Sequence, residues 1–331
     1  MIHPSKTTFT DEEHEEIRAE VRQALEGPPR LTQADLARET SLAPSVISSY
    51  LSASYAGDSN KPALTLKKWL DARQRADEAR LREPIEPDFQ ALGISQLLLA
   101  LMDSARVSGD IVSVISPPGI SKTTTALRYA NSTPRAWYVY IDEATHGVQP
   151  MLLEILAAMG RKDVTGSPAM LRKMVVDEAL EAPGVIIIDE ANILSEKALN
   201  QVRAINDATD RRGKPVGIVL LSNPTMNEKV GTGSTKPQFA QMSSRIGERR
   251  VFAAPDQQDV ADLAWAWANA NRVHLTKAEL EICQAIAAKP GGLRNVTKVF
   301  KKALRVTIAT GEVFGAQHLR GAFHQLYGIW L

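Results

Sequence analysis

A β-branched run that ends in a tight loop and a lysine-led helix is the feature that most constrains this chain. The run Ile111 to Ile115 is typical of a buried strand, and residues 116–119 (Ser-Pro-Pro-Gly) break it. Lys122 and Thr123 then begin a helix that we expect to end near Ala130. A strand, a tight loop and a helix that starts at Lys-Thr form the pattern of a phosphate-binding loop.

That pattern predicts a nucleotide site. Backbone N–H groups of the loop and the helix N-terminus hold phosphate oxygens, Lys122 reaches the β- and γ-phosphates of ATP, and the Thr123 hydroxyl ligates Mg²⁺. The motif has glycine where this chain has Ser116 and Ser121, which leaves open a strand–turn–helix with an incidental lysine. The predicted nucleotide-binding residues of the loop are Pro117, Pro118, Gly119, Ile120, Ser121, Lys122, Thr123 and Thr124.

A second apolar run ends in two carboxylates. Residues 184–190 read Gly-Val-Ile-Ile-Ile-Asp-Glu, which predicts a buried strand with Asp189 and Glu190 at its tip. In a phosphate-loop ATPase this position places Asp189 at the Mg²⁺ shell and lets Glu190 polarise the attacking water. The alternative is a strand followed by an ordinary acidic helix start.

Alternating helices and strands continue on both sides of these motifs. Near-continuous apolar strands separated by helices predict an α/β fold with a parallel sheet covered on both faces. We place the remaining strands at 137–141, 216–221 and 250–253. The predicted domains are an all-α unit at 1–82, a linker at 83–88, an ATPase core at 89–255 and a helical lid at 256–331.

The N-terminal unit has the layout of a helix-turn-helix. A short helix at 32–39, a turn and a second helix at 44–52 leave Ser45, Ser48 and Ser49 outside, where they can meet DNA. The alternative is an αα corner used only for packing. Basic helices supply further DNA-binding candidates, which are Lys67 and Lys68 in the helix at 64–82 and Lys298, Lys301, Lys302 and Arg305 in the lid.

Composition sets broad limits on the function. The 331-residue chain is 44% hydrophobic and 23% charged with a net charge of +1, so DNA binding requires local basic patches. No apolar run is long enough to span a membrane, and we expect no membrane partner. The single cysteine, Cys283, favours a reducing, cytoplasmic setting.

Three further residues have weaker local signals. Asn223 ends a strand and either orients water near the γ-phosphate or simply forms an Asn-Pro turn. Arg245 belongs to a basic cluster before the last strand, and Arg294 follows a double glycine at a helix start. Taken with the two motifs above, this set resembles the AAA+ ATPases. The resemblance implies catalytic roles for Lys122, Glu190, Asn223, Arg245 and Arg294, with Arg245 reaching the γ-phosphate of a neighbouring subunit.

The order of motifs from about Leu31 to Leu331 resembles the phage Mu B transposition protein family. The segments that carry the resemblance are the helix-turn-helix ending at Leu51, the helix with Trp69 and Leu70, and the stretches 185–191, 244–246 and 289–294. It implies non-specific binding to double-stranded DNA, self-association into ATP-dependent oligomers or helical filaments, and activation of a partner transposase. It also implies a bacterial host cell.

Two main hypotheses therefore remain. The first is a DNA-stimulated ATPase that prepares target DNA for transposition, with ATP and Mg²⁺ as cofactors. The second is a DNA-binding regulator whose nucleotide site is degenerate and does not hydrolyse ATP. The serines at 116 and 121 favour the second, and the intact charged residues favour the first. A helicase-loader-like ATPase is a remoter alternative that gives no reason for the N-terminal unit.

Overall fold

The chain divides into two compact units, Met1–Glu83 and Pro84–Leu331. The computed structural model describes residues 8–28, 30–81, 83–226 and 242–331. The first unit is helical and the second has an α/β core followed by a helical lid.

Four helices form the first unit around a small apolar core. Ile17, Val21, Leu36, Ile47 and Leu66 are buried together because each lies on the inner face of an amphipathic helix. Capping boxes at Thr10 and Thr32 begin the first two helices. The helices are α1 (Asp11–Glu26), α2 (Gln33–Thr40), α3 (Pro44–Leu51) and α4 (Asn60–Leu81).

Helix α4 begins four residues earlier than the predicted start at 64. The Asp58 carboxylate accepts the backbone N–H of Asn60 at 3.1 Å, which supplies a partner for a first-turn donor. Pro62 then lies in the first turn, where the N–H it lacks has no helical partner anyway. Residues 60–63 are therefore helical, ahead of the predicted start.

The second unit contains a five-stranded parallel sheet within the described residues, as predicted. Its order is β2-β3-β4-β1-β5, so the strand bearing Asn223 at its end lies beside the strand that enters the phosphate-binding loop. Every residue of β1, β3 and β4 is buried. The strands are β1 (Ile111–Ile115), β2 (Ala136–Tyr140), β3 (Val185–Asp189), β4 (Gly217–Ser222) and β5 (Ile246–Val251).

The last strand departs from the prediction of 250–253. β5 pairs with β1 at one edge of the sheet and reads Ile-Gly-Glu-Arg-Arg-Val. An edge strand is partly exposed and does not need the apolar run by which the inner strands were found. Most of the predicted basic cluster at 243–250 is therefore part of the strand, and Arg245 directly precedes it.

Helices cover both faces of the sheet because strand residues alternate between the faces. Val112, Ile187 and Val219 pack with helices α5 (Gly93–Ser108) and α6 (Lys122–Ser132) and with the lid. Ile111, Ile186 and Ile218 pack on the other face, against three helices. These helices are α7 (Val148–Ala158), α8 (Pro168–Leu180) and α9 (Glu196–Asp210).

The lid is a bundle of four helices whose inner side chains belong to the same apolar cluster as Val112, Ile187 and Val219. Its inner side chains include Trp267, Phe300 and Cys283, and burial raises the pKa of the Cys283 thiol to about 12. None of the helices in the described ranges is long and apolar enough to cross a membrane. The lid helices are α10 (Gln257–Ala270), α11 (Lys277–Ala287), α12 (Gly292–Thr310) and α13 (Ala316–Tyr327).

The segment predicted as a linker, 83–88, is fixed to the second unit from residue 84 onward. The backbone N–H of Ile85 donates to the Asn271 side-chain oxygen at 2.8 Å, and the Asn271 amide donates back to the Ile85 carbonyl at 2.8 Å. Glu86 forms an ion pair with Lys301 of α12. From residue 84 onward this stretch is therefore bonded to the lid, and its role as a linker stays a prediction.

Candidate nucleotide site

The loop between β1 and α6 has two residues in the left-handed backbone region. Gly119 has φ of 88° and Ser121 has φ of 73°. The second position is one where the motif carries glycine, which adopts this conformation without steric cost. Ser121 is also the N-cap of α6 and makes no side-chain cap bond. The first N–H groups of α6 therefore face a site suited to an anion.

Lys122 is held against the loop that it follows. Its Nζ donates to the Ser116 carbonyl at 3.0 Å, the Ser116 hydroxyl at 2.7 Å and the Pro117 carbonyl at 3.2 Å. Burial holds the pKa of Lys122 below its usual value. The charge of Arg294 also lowers this pKa, whereas the charges of Asp189 and Glu190 oppose the shift. Ser116 replaces a motif glycine, and its buried hydroxyl gives the lysine an acceptor that glycine lacks.

The carboxylate of Asp189 receives three hydrogen bonds at the end of β3. Its Oδ2 accepts from the Thr123 hydroxyl at 2.6 Å and from the Tyr138 hydroxyl at 3.0 Å. Its Oδ1 accepts from the backbone N–H of Glu190 at 3.0 Å. Burial, followed by the charge of Asp189, raises the pKa of Tyr138, so this hydroxyl stays a neutral donor.

Thr123 and Asp189 fit the oxygen ligands that Mg²⁺ requires. The Thr123 proton is directed to Asp189, which leaves the hydroxyl lone pairs available to a cation. A carboxylate and a hydroxyl are the hard donors that Mg²⁺ prefers, with phosphate oxygens and waters as the remaining ligands. These two residues would therefore hold the ion, as their sequence context predicts.

Glu190 follows Asp189 in a strained conformation. Its φ of 55° lies in the left-handed region, which is uncommon for a residue with a side chain. The chain turns there from β3 into a short 3₁₀ helix at 191–193, and Glu190 lines the same cavity as Lys122. Backbone strain of this kind is concentrated at functional sites.

A cavity of about 460 Å³ connects these groups to the lid. This volume falls within the range of small-molecule sites. The phosphate loop, Glu190, residues 86–90 and residues of the lid line it together. The lining residues outside the two motifs include Pro87, Phe89, Gln90, Leu92, Leu263, Trp267, Leu293, Arg294 and Thr297.

A backbone hydrogen bond joins the lid to the phosphate loop. The backbone N–H of Leu293 donates to the Gly119 carbonyl at 2.8 Å. A Cβ added at Gly119 would lie 1.8 Å from the carbonyl oxygen of Gly291, so the loop needs glycine at position 119 to approach the lid this closely. This contact brings the N-terminus of α12, and with it Arg294, to the cavity.

The sequence did not indicate the lid-side wall or Tyr138. Segment 86–92, Leu263 and Trp267 are far apart in the chain and form no local motif. Tyr138 looks like an ordinary aromatic residue in a strand. Only the packing of α10 and β2 against the core brings these side chains to the site.

Two predicted catalytic residues lie outside the cavity lining. The Asn223 side-chain oxygen accepts from the Thr225 N–H at 3.0 Å and from its hydroxyl at 2.6 Å, which is the Asn-Pro turn chemistry that the sequence left open. Arg245, half exposed, pairs with Asp207 of α9 at 3.1 Å. Neither residue is directed into this cavity.

The predicted DNA-binding serines lie on one short helix of the first unit. Ser45 and Ser48 are exposed, whereas the hydroxyl of half-buried Ser49 donates to the Ser45 carbonyl at 2.7 Å. Lys68 is exposed, and Lys67 pairs with Glu20 at 3.2 Å. Ser45, Ser48 and Lys68 are thus the more available members of this set.

The predicted basic residues of the lid differ in availability. Lys298 and Arg305 are exposed and Lys302 is half-buried. Lys301 pairs with Glu86 and so contributes less positive charge to the surface. Lys298 and Lys302, one helical turn apart, form no ion pair with any described residue.

Comparisons with known proteins agree with this geometry. Residues 105–230 match the AAA domain family, and residues 244–326 match the C-terminal domain of the Mu B transposition protein. The ATP-dependent target DNA activator B of Escherichia phage Mu is 28% identical over 94% of this chain and 95% of its own length. The Mu-like prophage FluMu DNA transposition protein B of Haemophilus influenzae is 24% identical over 82% of this chain and 91% of its own.

Solved structures share the fold at low sequence identity. The Aeropyrum pernix ORC2 protein superimposes with a TM-score of 0.56 and 16% identity, covering 74% of this chain and 70% of that one. Cdc6p from Pyrobaculum aerophilum gives a TM-score of 0.52 and 16% identity, covering 69% and 65%. The predicted AAA+ P-loop fold and the predicted resemblance are both confirmed.

We predict that Ser121→Gly stabilises the chain without changing its ATP affinity. Relief of the left-handed strain outweighs the added freedom of the unfolded chain, so the free energy of unfolding should rise by about 0.5–1 kcal/mol. The strain is already present without nucleotide, so binding should not sense its removal. Urea denaturation and equilibrium titration with a fluorescent ATP analogue measure the two quantities.

Ser41→Gly is the matched control, since Ser41 has φ of 57° at the end of α2 in the other unit. It should also stabilise the chain. A large gain in ATP affinity with Ser121→Gly alone would contradict the prediction and show that the serine obstructs the phosphates.

Proposed function

Because this chain is related to the Mu B transposition proteins over 94% of its length, we propose that it is an ATP-dependent DNA-binding protein that assembles on target DNA and activates a transposase. One observation carries the ATPase part of the proposal. Lys122, Thr123 and Glu190, which come from two separate motifs, line one cavity, and Asp189 accepts a hydrogen bond from Thr123 there. The relatives, a target DNA activator and a DNA transposition protein, support the part that concerns DNA and transposition.

ATP binding follows from the lining of the cavity, which is charged at the phosphate loop and apolar at Leu92 and Leu263. The phosphates lie at the α6 N-terminus, where N–H groups and Lys122 supply positive charge. Lys122 exchanges its bonds to the Ser116 and Pro117 oxygens for bonds to the β- and γ-phosphates. The base lies against Leu92 and Leu263, because apolar surfaces suit a purine.

Hydrolysis requires a polarised water at the γ-phosphate. Glu190 lines the cavity near Lys122 and accepts a proton from that water as it attacks. Thr123 and Asp189 would hold Mg²⁺, which would offset phosphate charge when bound. Arg294 adds positive charge from the lid side. Asn223 remains a candidate for orienting the water, provided that its turn releases the side chain.

Assembly follows from the position of Arg245. This arginine lies at the start of the edge strand, half exposed and outside its own nucleotide cavity. Its charge is thus available to the γ-phosphate of a neighbouring subunit, while Asp207 holds it in the free chain. Such a head-to-tail contact need not close into a ring and can continue as a filament on DNA.

DNA binding is expected to be largely independent of sequence. Lysine and arginine contacts to phosphates release counterions and recognise no base. The lid face with Lys298, Lys302 and Arg305 and the first-unit residues Ser45, Ser48 and Lys68 are the proposed contacts. With a net charge of +1 for the whole chain, these local patches must supply the attraction.

The central test is ATP hydrolysis with and without duplex DNA. Lys122→Ala should weaken ATP binding by roughly ten- to a hundredfold, because it removes a charged donor to the phosphates. Glu190→Gln should bind ATP normally and hydrolyse it about 10²–10⁴ times more slowly, since only proton transfer is lost. Lys277→Ala, at a fully exposed lysine, is the control.

Equal ATP affinity in wild type and Lys122→Ala would contradict the assignment of the loop between β1 and α6 as a phosphate-binding loop. Wild type that binds ATP but does not hydrolyse it, even with DNA, would instead support the regulator with a degenerate site.

We predict that changing Lys298 and Lys302 together to Ala weakens DNA binding and makes it less salt-sensitive. Each lysine that no longer neutralises a phosphate should reduce the slope of log K against log salt by about 0.9, so the double variant should reduce it by roughly 2. Fluorescence anisotropy with duplex DNA at several salt concentrations measures both quantities. The slope of Lys277→Ala should equal that of wild type, and an unchanged slope in the double variant would exclude this face.

We predict that Arg245→Ala binds ATP but neither assembles nor hydrolyses normally. Its own cavity is untouched, whereas the arginine charge offered to the neighbouring γ-phosphate is removed. Sedimentation and electron microscopy with ATP and long duplex DNA measure assembly. Arg212→Ala is the matched control, because Arg212 is equally exposed and also pairs with an aspartate. Wild type that stays monomeric under these conditions rules out the filament.

A further inference from the structure

Tyr138 contacts Asp189 at the nucleotide site but belongs to neither of the two sequence motifs. Tyr138 lies on β2, and its hydroxyl donates to Asp189 Oδ2 at 3.0 Å from 51 residues away in the chain. β2 pairs with β3 so that Tyr138 is opposite Ile187, two residues before Asp189. Strand residues two apart point to the same face, so the phenol and the carboxylate share the face that α6 covers.

We propose that Tyr138 is a positioning residue that fixes the Asp189 carboxylate for the Mg²⁺ of bound ATP, an inference that rests on the proposed ATP site. Hydrogen bonds from groups that do not touch the metal orient the side chains that ligate it and tune its affinity. Tyr138 itself touches neither nucleotide nor metal and acts through Asp189.

The hydrogen bonds at Asp189 show why a second hydroxyl matters. The carboxylate is only 1% exposed, and in the described part of the chain it forms no ion pair with Arg or Lys. Hydrogen bonds from Thr123, Tyr138 and the Glu190 N–H therefore stabilise its negative charge. Thr123 is itself a proposed ligand of the ion. Tyr138 is the side-chain donor that stays on the carboxylate whatever Thr123 binds.

Both hydroxyls act on the same oxygen atom, which fixes the rotation of the carboxylate. With Oδ2 held between Thr123 and Tyr138, Oδ1 is directed to the Glu190 N–H. Without the Tyr138 bond, one side-chain donor remains and the carboxylate is free to turn away from Thr123. The phenol ring also packs on the apolar core, so Phe preserves its packing and removes the hydroxyl alone.

The test is Tyr138→Phe beside Tyr140→Phe. Tyr140 lies on the same strand, opposite Asp189 in register, but is 52% exposed and donates no described hydrogen bond to the carboxylate. Binding of a fluorescent ATP analogue is titrated with Mg²⁺ and repeated in EDTA. Tyr138→Phe should need about tenfold more Mg²⁺ for half-maximal tightening, while Tyr140→Phe matches wild type. Binding in EDTA should be equal in all three proteins.

The outcomes separate this inference from the proposed function. If wild type binds ATP with Mg²⁺-dependent tightening and Tyr138→Phe responds identically, the positioning role is wrong and the ATP site stands. Wild type without such tightening would remove the proposed site itself. Circular dichroism checks folding, and an unfolded Tyr138→Phe, or one weakened equally in EDTA, would show that the hydroxyl is structural and overturn the inference.

As a second measurement, Tyr138→Phe is added to Asp189→Asn. A residue that acts through Asp189 should have no further effect on the Mg²⁺ response once the carboxylate is gone. A full additional loss in the double variant would contradict the inference.

Discussion

The hydrogen bond from Thr123 to Asp189, at 2.6 Å, depends on the whole arrangement of the sheet. It joins the start of α6, the helix that follows β1, to the end of β3. In the sheet, β4 lies between β1 and β3. Parallel strands have their carboxyl ends at the same edge of the sheet. The loop after β1 and the carboxylates at the end of β3 therefore lie close together. The buried Lys122 and Asp189 are tolerable there because each has several hydrogen-bond partners inside the site.

A second constraint connects this edge to the lid. Gly119 and Gly291 approach so closely that a side chain on Gly119 would overlap the opposing backbone. The N–H of Leu293 is bonded to the Gly119 carbonyl, so the position of the phosphate loop and that of α12 cannot change independently. Segment 84–88 adds a second attachment, through Ile85 and Glu86. A ligand in the cavity would thus contact core and lid together, which is the arrangement required if nucleotide is to influence the outer surface of α12.

The serines in the phosphate loop show how a motif can be altered while its geometry is kept. Ser121 adopts the left-handed conformation for which glycine is normally used, at a local cost of about 1–2 kcal/mol. Ser116 is buried and turns its hydroxyl to Lys122. In the sequence these serines favoured a degenerate site, and whether the site hydrolyses ATP is the question that the ATPase measurement answers.

The sequence by itself determined the features that near neighbours in the chain encode. Strand, loop and helix around Lys122, the aliphatic strand ending in Asp189 and Glu190, and the order of motifs all depend on local periodicity and turn residues. Tertiary structure alone decided the rest. The edge strand β5 lacks the apolar pattern of a buried strand, and Arg245 has a partner that no motif specifies. Ile85 bonds to Asn271 of the lid, 186 positions away, and Tyr138 reaches Asp189 across 51. Such contacts depend on how whole helices and strands pack, which local periodicity does not record.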